Sequence, residues 1–216
     1  LGCVYCQNWD TSQSYGEAVK PEGLAEIMLE LQQAGCHNIN LVSPSHYVPQ
    51  IVAALAVAAE LGLRIPLVYN SSGYDEKATL EKLNGLVDIY MPDFKYADPL
   101  VGKRLSCVDS YTEVTETAIK EMHRQVGDLM VDERGIARRG LIIRHLVLPG
   151  DLAGTEAVLD FIAREISPYS YINIMDQYYP EFKAGQFPEL NRRITSREYQ
   201  AALVAAKKAS SHFRLA

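Results

Sequence analysis

Residues 21–42 read PEGLAEIMLELQQAGCHNINLV, and this helix-then-strand unit decides the fold. Leu24, Ile27, Met28 and Leu31 recur at the i, i+3, i+4, i+7 spacing of an amphipathic helix, with Pro21 near its start and Gly35 past its end. Asn38 to Val42 then reads as a short strand. The unit recurs as a helix from about Val48 to Leu61, closed by Gly62, with a strand from Ile65 to Tyr69. A third copy has a helix from about Asp75 to Leu83, Gly85 as punctuation, and a strand from Leu86 to Met91. Three consecutive helix-then-strand units imply parallel strands joined by right-handed crossovers.

After Asp93 comes a polar, turn-rich stretch, then a helix from about Thr112 to Val126. A charged turn, Asp132 to Gly135, precedes the most apolar strand, Leu141 to Leu148, which Pro149 and Gly150 stop. Val158, Leu159, Ile162 and Ile166 mark another helix face, and Tyr171 to Met175 another strand. The last helix opens with a capping box of Thr195 and Glu198. The parallel strands therefore fall at about residues 39, 65, 87, 141 and 171. No internal repeat, low-complexity tract or linker divides residues 1–216, so one domain is expected.

The 216 residues are 48% hydrophobic and 22% charged, a globular balance. The net charge is -6 and no basic run exceeds a pair such as Arg138-Arg139 or Arg192-Arg193, which argues against nucleic acid and anionic membrane as partners. The longest purely apolar stretch, Ile51 to Ala59, stops at Glu60, short of the roughly 20 residues a membrane span needs. The chain starts at Leu1 without a recognisable signal peptide, and a fragment of a longer protein is the expectation. Of its four cysteines, Cys36 and Cys107 are expected to be ordinary buried thiols.

Cys3-Val4-Tyr5-Cys6-Gln7-Asn8 carries the sharpest chemistry. Two thiolates two residues apart can bind one metal or one cluster, because the intervening turn brings both sulfurs to one side. A zinc knuckle needs a second close pair, which Cys36 and Cys107 do not make. A thioredoxin-type pair sits at the start of a helix after a strand, whereas Trp9 to Ala18 reads as polar and turn-like. A non-catalytic metal-binding or redox module using this pair alone is the alternative reading.

The same loop, followed by helix and strand repeats, resembles the second half of the CxxxCxxC loop of radical S-adenosylmethionine (SAM) enzymes, with the aromatic Tyr5 just before the last cysteine. The likeness is nearest to homologues of pyruvate formate-lyase activating enzymes. Residues 40–46, 68–73, 90–96, 144–150 and 174–180 support it along nearly the whole chain. It implies an α/β fold, a partial (β/α)6 barrel of the radical SAM type, lacking its first strand in this chain. The family's first cysteine would stand two residues before Leu1, so a radical SAM core domain incomplete at its N-terminus is expected.

What the resemblance implies for the site is a [4Fe-4S] cluster on Cys3 and Cys6, with SAM held by Tyr5 and by residues at the C-terminal ends of the strands. Ser43, Ser45 and His46 stand where the superfamily has a Gly-Gly-Glu segment contacting the SAM amino group; no acidic residue lies in that segment here, so hydroxyls and carbonyls are expected to serve. His46 could equally cap the helix entered at Tyr47. Asn70, Ser71 and Ser72 resemble an Asp-Thr-Asn segment suited to ribose and carboxylate contacts. Asp93 and Lys95 match an Asp-x-Lys in which the ammonium pairs with the SAM carboxylate. Arg144 and His145 alternate on one strand, so only one faces the interior. Gln177 completes the set, and Tyr178 to Pro180 read as packing or channel lining. The implied protein is a cytoplasmic oxidoreductase that makes a 5′-deoxyadenosyl radical for hydrogen abstraction. Its partners would be a reductant such as flavodoxin or ferredoxin, and a glycyl-radical protein or a small substrate.

Overall fold

The first helix-then-strand unit forms, but of the face read from its spacing only Met28 is buried, while Ile27 and Leu31 are exposed. In the computed structural model, which describes residues 1–10 and 16–216, α1 (Pro21–Gln33) starts with Pro21 in its first turn and buries Ala25 and Met28. Strand β1 (Ile39–Val42) follows, then α2 (Val48–Glu60), β2 (Leu67–Asn70), α3 (Lys77–Glu81) and β3 (Ile89–Tyr90). The second half holds α4 (Pro99–Ser106), α5 (Tyr111–Val126), β4 (Met130–Val131), β5 (Ala137–Leu146), α6 (Thr155–Phe161), β6 (Tyr171–Met175), α7 (Ser196–Ala209) and β7 (Arg214–Leu215).

The strands make one seven-stranded sheet in the order β1-β2-β3-β5-β6-β7, with β4 paired to β5 outside that path. Every pairing along the path is parallel, and the α/β partial barrel read from the sequence is the fold. The register sets Val42 beside Asn70, Tyr69 beside Tyr90, and Leu146 beside Met175. A further bridge joins Asp93 to Arg144 just past β3. All five strands β1, β2, β3, β5 and β6 therefore end on one rim, where parallel sheets gather functional groups. Under it lies a core rich in tyrosine: Tyr69, Tyr90, Tyr96, Tyr111 and Tyr178 are all buried.

Several expectations are corrected. β2 starts at Leu67 rather than Ile65, because the Arg64 and Ile65 N–H groups donate to the Gln32 side chain and Pro66 has no N–H to give a ladder. β3 loses its first half, since the Leu86 and Val87 N–H groups turn back to the Leu83 carbonyl. The turn-rich stretch after Asp93 contains α4, capped by Asp98, whose carboxylate accepts from Leu100 N–H. β5 begins four residues earlier than its apolar run, because Arg138 and Arg139 form the arm of a hairpin with β4. Arg138 reaches back to Asp132 across that turn. β7 adds a sixth parallel strand. Cys36 and Cys107 are exposed rather than buried: one follows the Gly35 turn, the other ends α4 in the left-handed conformation. Trp9 and Asp10 are helical rather than turn-like, and the next five residues of that stretch, 11–15, lie outside the described residues.

His145 points away from the rim, as alternation with Arg144 demands, and is fully buried. Its Nδ1 donates to the Phe94 carbonyl at 2.7 Å, so Nε2 accepts from the Thr155 hydroxyl at 2.9 Å. Burial lowers its pKa below the ordinary histidine value.

Two outcomes follow. Gly140 has φ +121, and a Cβ there would lie 2.5 Å from the Asp128 carbonyl oxygen and from Leu129 Cα, whereas at Gly135, φ +77, it would meet nothing within 4 Å. Gly140→Ala should cost about 3 kcal/mol or more, and Gly135→Ala about 1 kcal/mol, in urea unfolding. Equal costs would show that the Asp128–Leu129 backbone does not press on β5. Because the folded state holds His145 neutral, the unfolded state binds more protons below about pH 6.5, and stability should fall as pH drops through that value. Urea midpoints at about pH 7.5 and about pH 5.5 test this: the drop should shrink in His145→Gln.

Candidate functional site

The cysteine loop is anchored by its backbone before any side chain is considered. Gly2 N–H donates to the Ser106 carbonyl at 3.0 Å and Val4 N–H to the Leu105 carbonyl at 2.9 Å, which seats the loop on the last turn of α4. From the other side Lys183 N–H donates to the Val4 carbonyl at 2.9 Å. Val4 and Tyr5 are buried beneath, Tyr5 meeting the edge of Tyr178 with ring centres 5.8 Å apart. Cys6 N–H closes a turn onto the Cys3 carbonyl at 3.2 Å. Both cysteines then face one cavity of about 180 Å³, together with Tyr5, Gln7, Asn8, Asp93, Lys95, Arg144, Leu146, Met175 and Gln177.

The opposite wall is ionic. Asp93 binds the Lys95 ammonium with one carboxylate oxygen and the Arg144 guanidinium with the other, the latter at 2.7 Å. Two cations on one carboxylate leave an excess positive charge facing the thiols. Burial alone would lower the Lys95 pKa, but the Asp93 carboxylate more than reverses this and holds the ammonium above its ordinary value. Among the described residues Arg144 Nε and Asp93 Oδ1 are both buried without a hydrogen-bond partner, the Arg144–Asp93 contact being an ion pair. The wall is fixed from behind by Tyr111, whose hydroxyl contacts the Ser72 and Asp93 carbonyls at 2.9 and 3.1 Å and accepts from Lys95 N–H at 3.0 Å.

Beneath the loop the Cys3 sulfur lies 3.0 Å from the Ser106 hydroxyl, which lies 2.7 Å from the Tyr96 hydroxyl, which in turn contacts that of Tyr5. Burial raises the pKa of both tyrosines, so both phenols stay protonated.

The structure thus brings Cys3, Tyr5, Cys6, Asp93, Lys95, Arg144 and Gln177 together. It places Ser43, Ser45, His46, Asn70 and Ser71 on the same rim but outside the wall of this cavity. Ser45 and Ser71 donate to the two oxygens of Asp75, each at 2.5 Å, and Tyr69 adds a third hydroxyl at 3.0 Å. An acidic residue therefore does stand against the 43–46 segment; it arrives from the loop after β2, where proximity along the chain could not show it. Ser43 is exposed with φ 54, its N–H donating to the Asn70 carbonyl at 2.8 Å, and Asn70 is buried. His46 is exposed, and α2 starts from Tyr47 without a side-chain cap. Sequence reasoning missed Gln7, Asn8, Leu146 and Met175 as lining, and Ser106 and Tyr96 under Cys3. Strand alternation from Arg144 was a signal for Leu146, and from Gln177 for Met175. A larger cavity, about 270 Å³, lies beyond the end of β6 against the start of α7 and is lined by no cysteine.

Comparison with known proteins bears on the family and the fold. Residues 1–162 match the family model of the radical SAM superfamily. An uncharacterized protein of Methanocaldococcus jannaschii is 35% identical over 215 residues, a match spanning 95% of this chain and 59% of that protein, so the chain spans about three fifths of its relative's length. Among solved structures, a radical SAM methyltransferase from Sphaerobacter thermophilus superposes with TM-score 0.65 at 14% identity over 100% of this chain and 62% of its own. A domain of the pyruvate-formate lyase-activating enzyme from Bacteroides vulgatus gives 0.58 at 11% identity over 83% of this chain and 97% of its own. At these identities the two structures show a shared fold.

Proposed function

The chain belongs to the radical SAM superfamily, and from that premise we propose an iron–sulfur enzyme of the activating-enzyme-like kind that abstracts a hydrogen atom from a glycine of a partner protein or from a small substrate. The observation that carries the reading is a pair of thiols and an excess of positive charge facing each other across one cavity. Cys3 and Cys6 would hold the [4Fe-4S] cluster and the ionic wall would hold SAM, and the two groups would supply reductive SAM cleavage to a 5′-deoxyadenosyl radical and methionine, with the electron from a flavodoxin- or ferredoxin-like donor. Soft thiolates select iron–sulfur clusters over hard cations, and Cys3 and Cys6 are two such donors; among the described residues no group of three ligands is present.

The chain's own residues bind and orient. Cys3 and Cys6 supply two thiolates. Lys95 and Arg144 receive the SAM carboxylate, and Arg144 Nε offers a donor without a partner among the described residues. Asp93 fixes both cations and keeps Lys95 charged, so they need no reorganisation when the anion arrives. Tyr5, Leu146 and Met175 give apolar wall that excludes water from a reactive site. Gln7 Nε2 donates to the Gln177 carbonyl at 3.3 Å and ties the cysteine loop to the end of β6. Among the described residues no helix is long and apolar enough to cross a membrane.

The test is anaerobic reconstitution of the full-length protein with iron and sulfide, then reduction with SAM present. Release of 5′-deoxyadenosine is expected; metal uptake without it would leave a binding module. Lys95→Ala and Arg144→Ala should each weaken SAM binding about tenfold or more, the loss of one charge-assisted contact, with iron content unchanged. Unchanged SAM affinity in both variants would remove the ionic wall from the site.

A further inference from the structure

The contacts beneath Cys3 make a chain of buried hydroxyls that ends on sulfur. Ser106 and Tyr96 have no solvent exposure and Tyr5 has 4%. Their order is Cys3 Sγ, Ser106 Oγ at 3.0 Å, Tyr96 OH at 2.7 Å from Ser106, then Tyr5 OH. Ser106 cannot drift from the sulfur. Its own carbonyl and that of Leu105 accept the Gly2 and Val4 N–H groups, so the loop bearing Cys3 and the turn bearing Ser106 are one hydrogen-bonded unit. The turn is set by close packing: a Cβ on Gly102 would lie 2.7 Å from Tyr111 Cβ and 3.5 Å from the Tyr96 ring, and Tyr96 meets the edge of Tyr111 with centres 5.2 Å apart.

Resting on the function proposed above, we propose that Ser106, Tyr96 and Tyr5 form a directed hydrogen-bond relay that tunes the reduction potential of the iron–sulfur cluster through the Cys3 sulfur. A metal-bound thiolate has no proton and can only accept. Ser106 must therefore donate to it, which leaves the Ser106 oxygen to accept from Tyr96 and the Tyr96 oxygen to accept from Tyr5. One acceptor at the end thus orients every proton in the chain toward sulfur. Hydrogen bonds aligned head to tail polarise one another, and in a dry interior each strengthens the next. The last one draws electron density from the sulfur and stabilises the cluster state that carries the additional electron, so the potential rises. All three are positioning residues in this role; none needs to touch a substrate to exert it.

The experiment is a redox titration, followed by electron paramagnetic resonance, of the reconstituted full-length protein and of Ser106→Ala, Tyr96→Phe and Tyr5→Phe, each of which deletes one hydroxyl. The midpoint should move to more negative potential in all three, most for Ser106→Ala, less for Tyr96→Phe and least for Tyr5→Phe, with iron content and far-ultraviolet circular dichroism unchanged. A structural role alone predicts altered stability at an unaltered midpoint. If Ser106→Ala loses its cluster, the two phenylalanine variants still decide the matter. Wild-type midpoints in the cluster-bearing variants would overturn the relay while leaving the proposed function intact. A wild-type protein that takes up no cluster would overturn both.

Discussion

Asp93 is where strand pairing turns into electrostatics. Its N–H donates to the Ser71 carbonyl, its carbonyl contacts the Tyr111 hydroxyl, and its neighbours Pro92 and Phe94 exchange backbone bonds with Arg144. The β3–β5 register therefore decides that Arg144 sits beside this carboxylate, and the two-residue step from Asp93 puts Lys95 on its other side. A shift of one residue in that register would send Arg144 to the helix side and His145 to the rim. The polarity of the site is thus fixed by the sheet, and the cavity has its charge before anything enters it.

A buried carboxylate shows how differently the same group can be settled. Among the described residues no cation pairs with Asp75; three hydroxyls, from Ser45, Tyr69 and Ser71, donate to it. Both oxygens are fully engaged, and the result is a clasp between the loops that follow β1 and β2. Around Asp93 the partners are charged and exceed it in number, and one of their donors is open. A satisfied cluster holds loops together, whereas an oversupplied one has capacity for an anion.

What the sequence made legible follows from range. The alternation of Arg144 with His145 and the capping box at Thr195 and Glu198 are local patterns, and the structure keeps them, whereas the helix periods hold only in part: Ile27 and Leu31 are exposed and the third helix shortens to Lys77–Glu81. Asp93 and Lys95 were readable because they share one strand end with a recognisable motif. Asp75 was not, because it meets Ser45 across 30 residues, and Ser106 was not, because it meets Cys3 across 103. α4 is only eight residues long, and its Asp98-Pro99 entry was the one signal available. The two exposed cysteines escaped because burial preference describes residue types, whereas a helix end and a glycine turn set the exposure of these particular thiols.

The anchoring of the cysteine loop has a consequence for how the protein is made. Its thiols are synthesised before the groups that seat them, which come from residues 105–106 and, on the other side, from Lys183. At about 5–20 residues per second a ribosome needs on the order of 10–35 s to travel from the loop to that last anchor. Until residues 105–106 are made the loop has neither anchor, and until Lys183 is made it has only one. Maturation of this site is therefore a matter of timing as well as of affinity, and the cell's handling of the nascent chain becomes part of its chemistry.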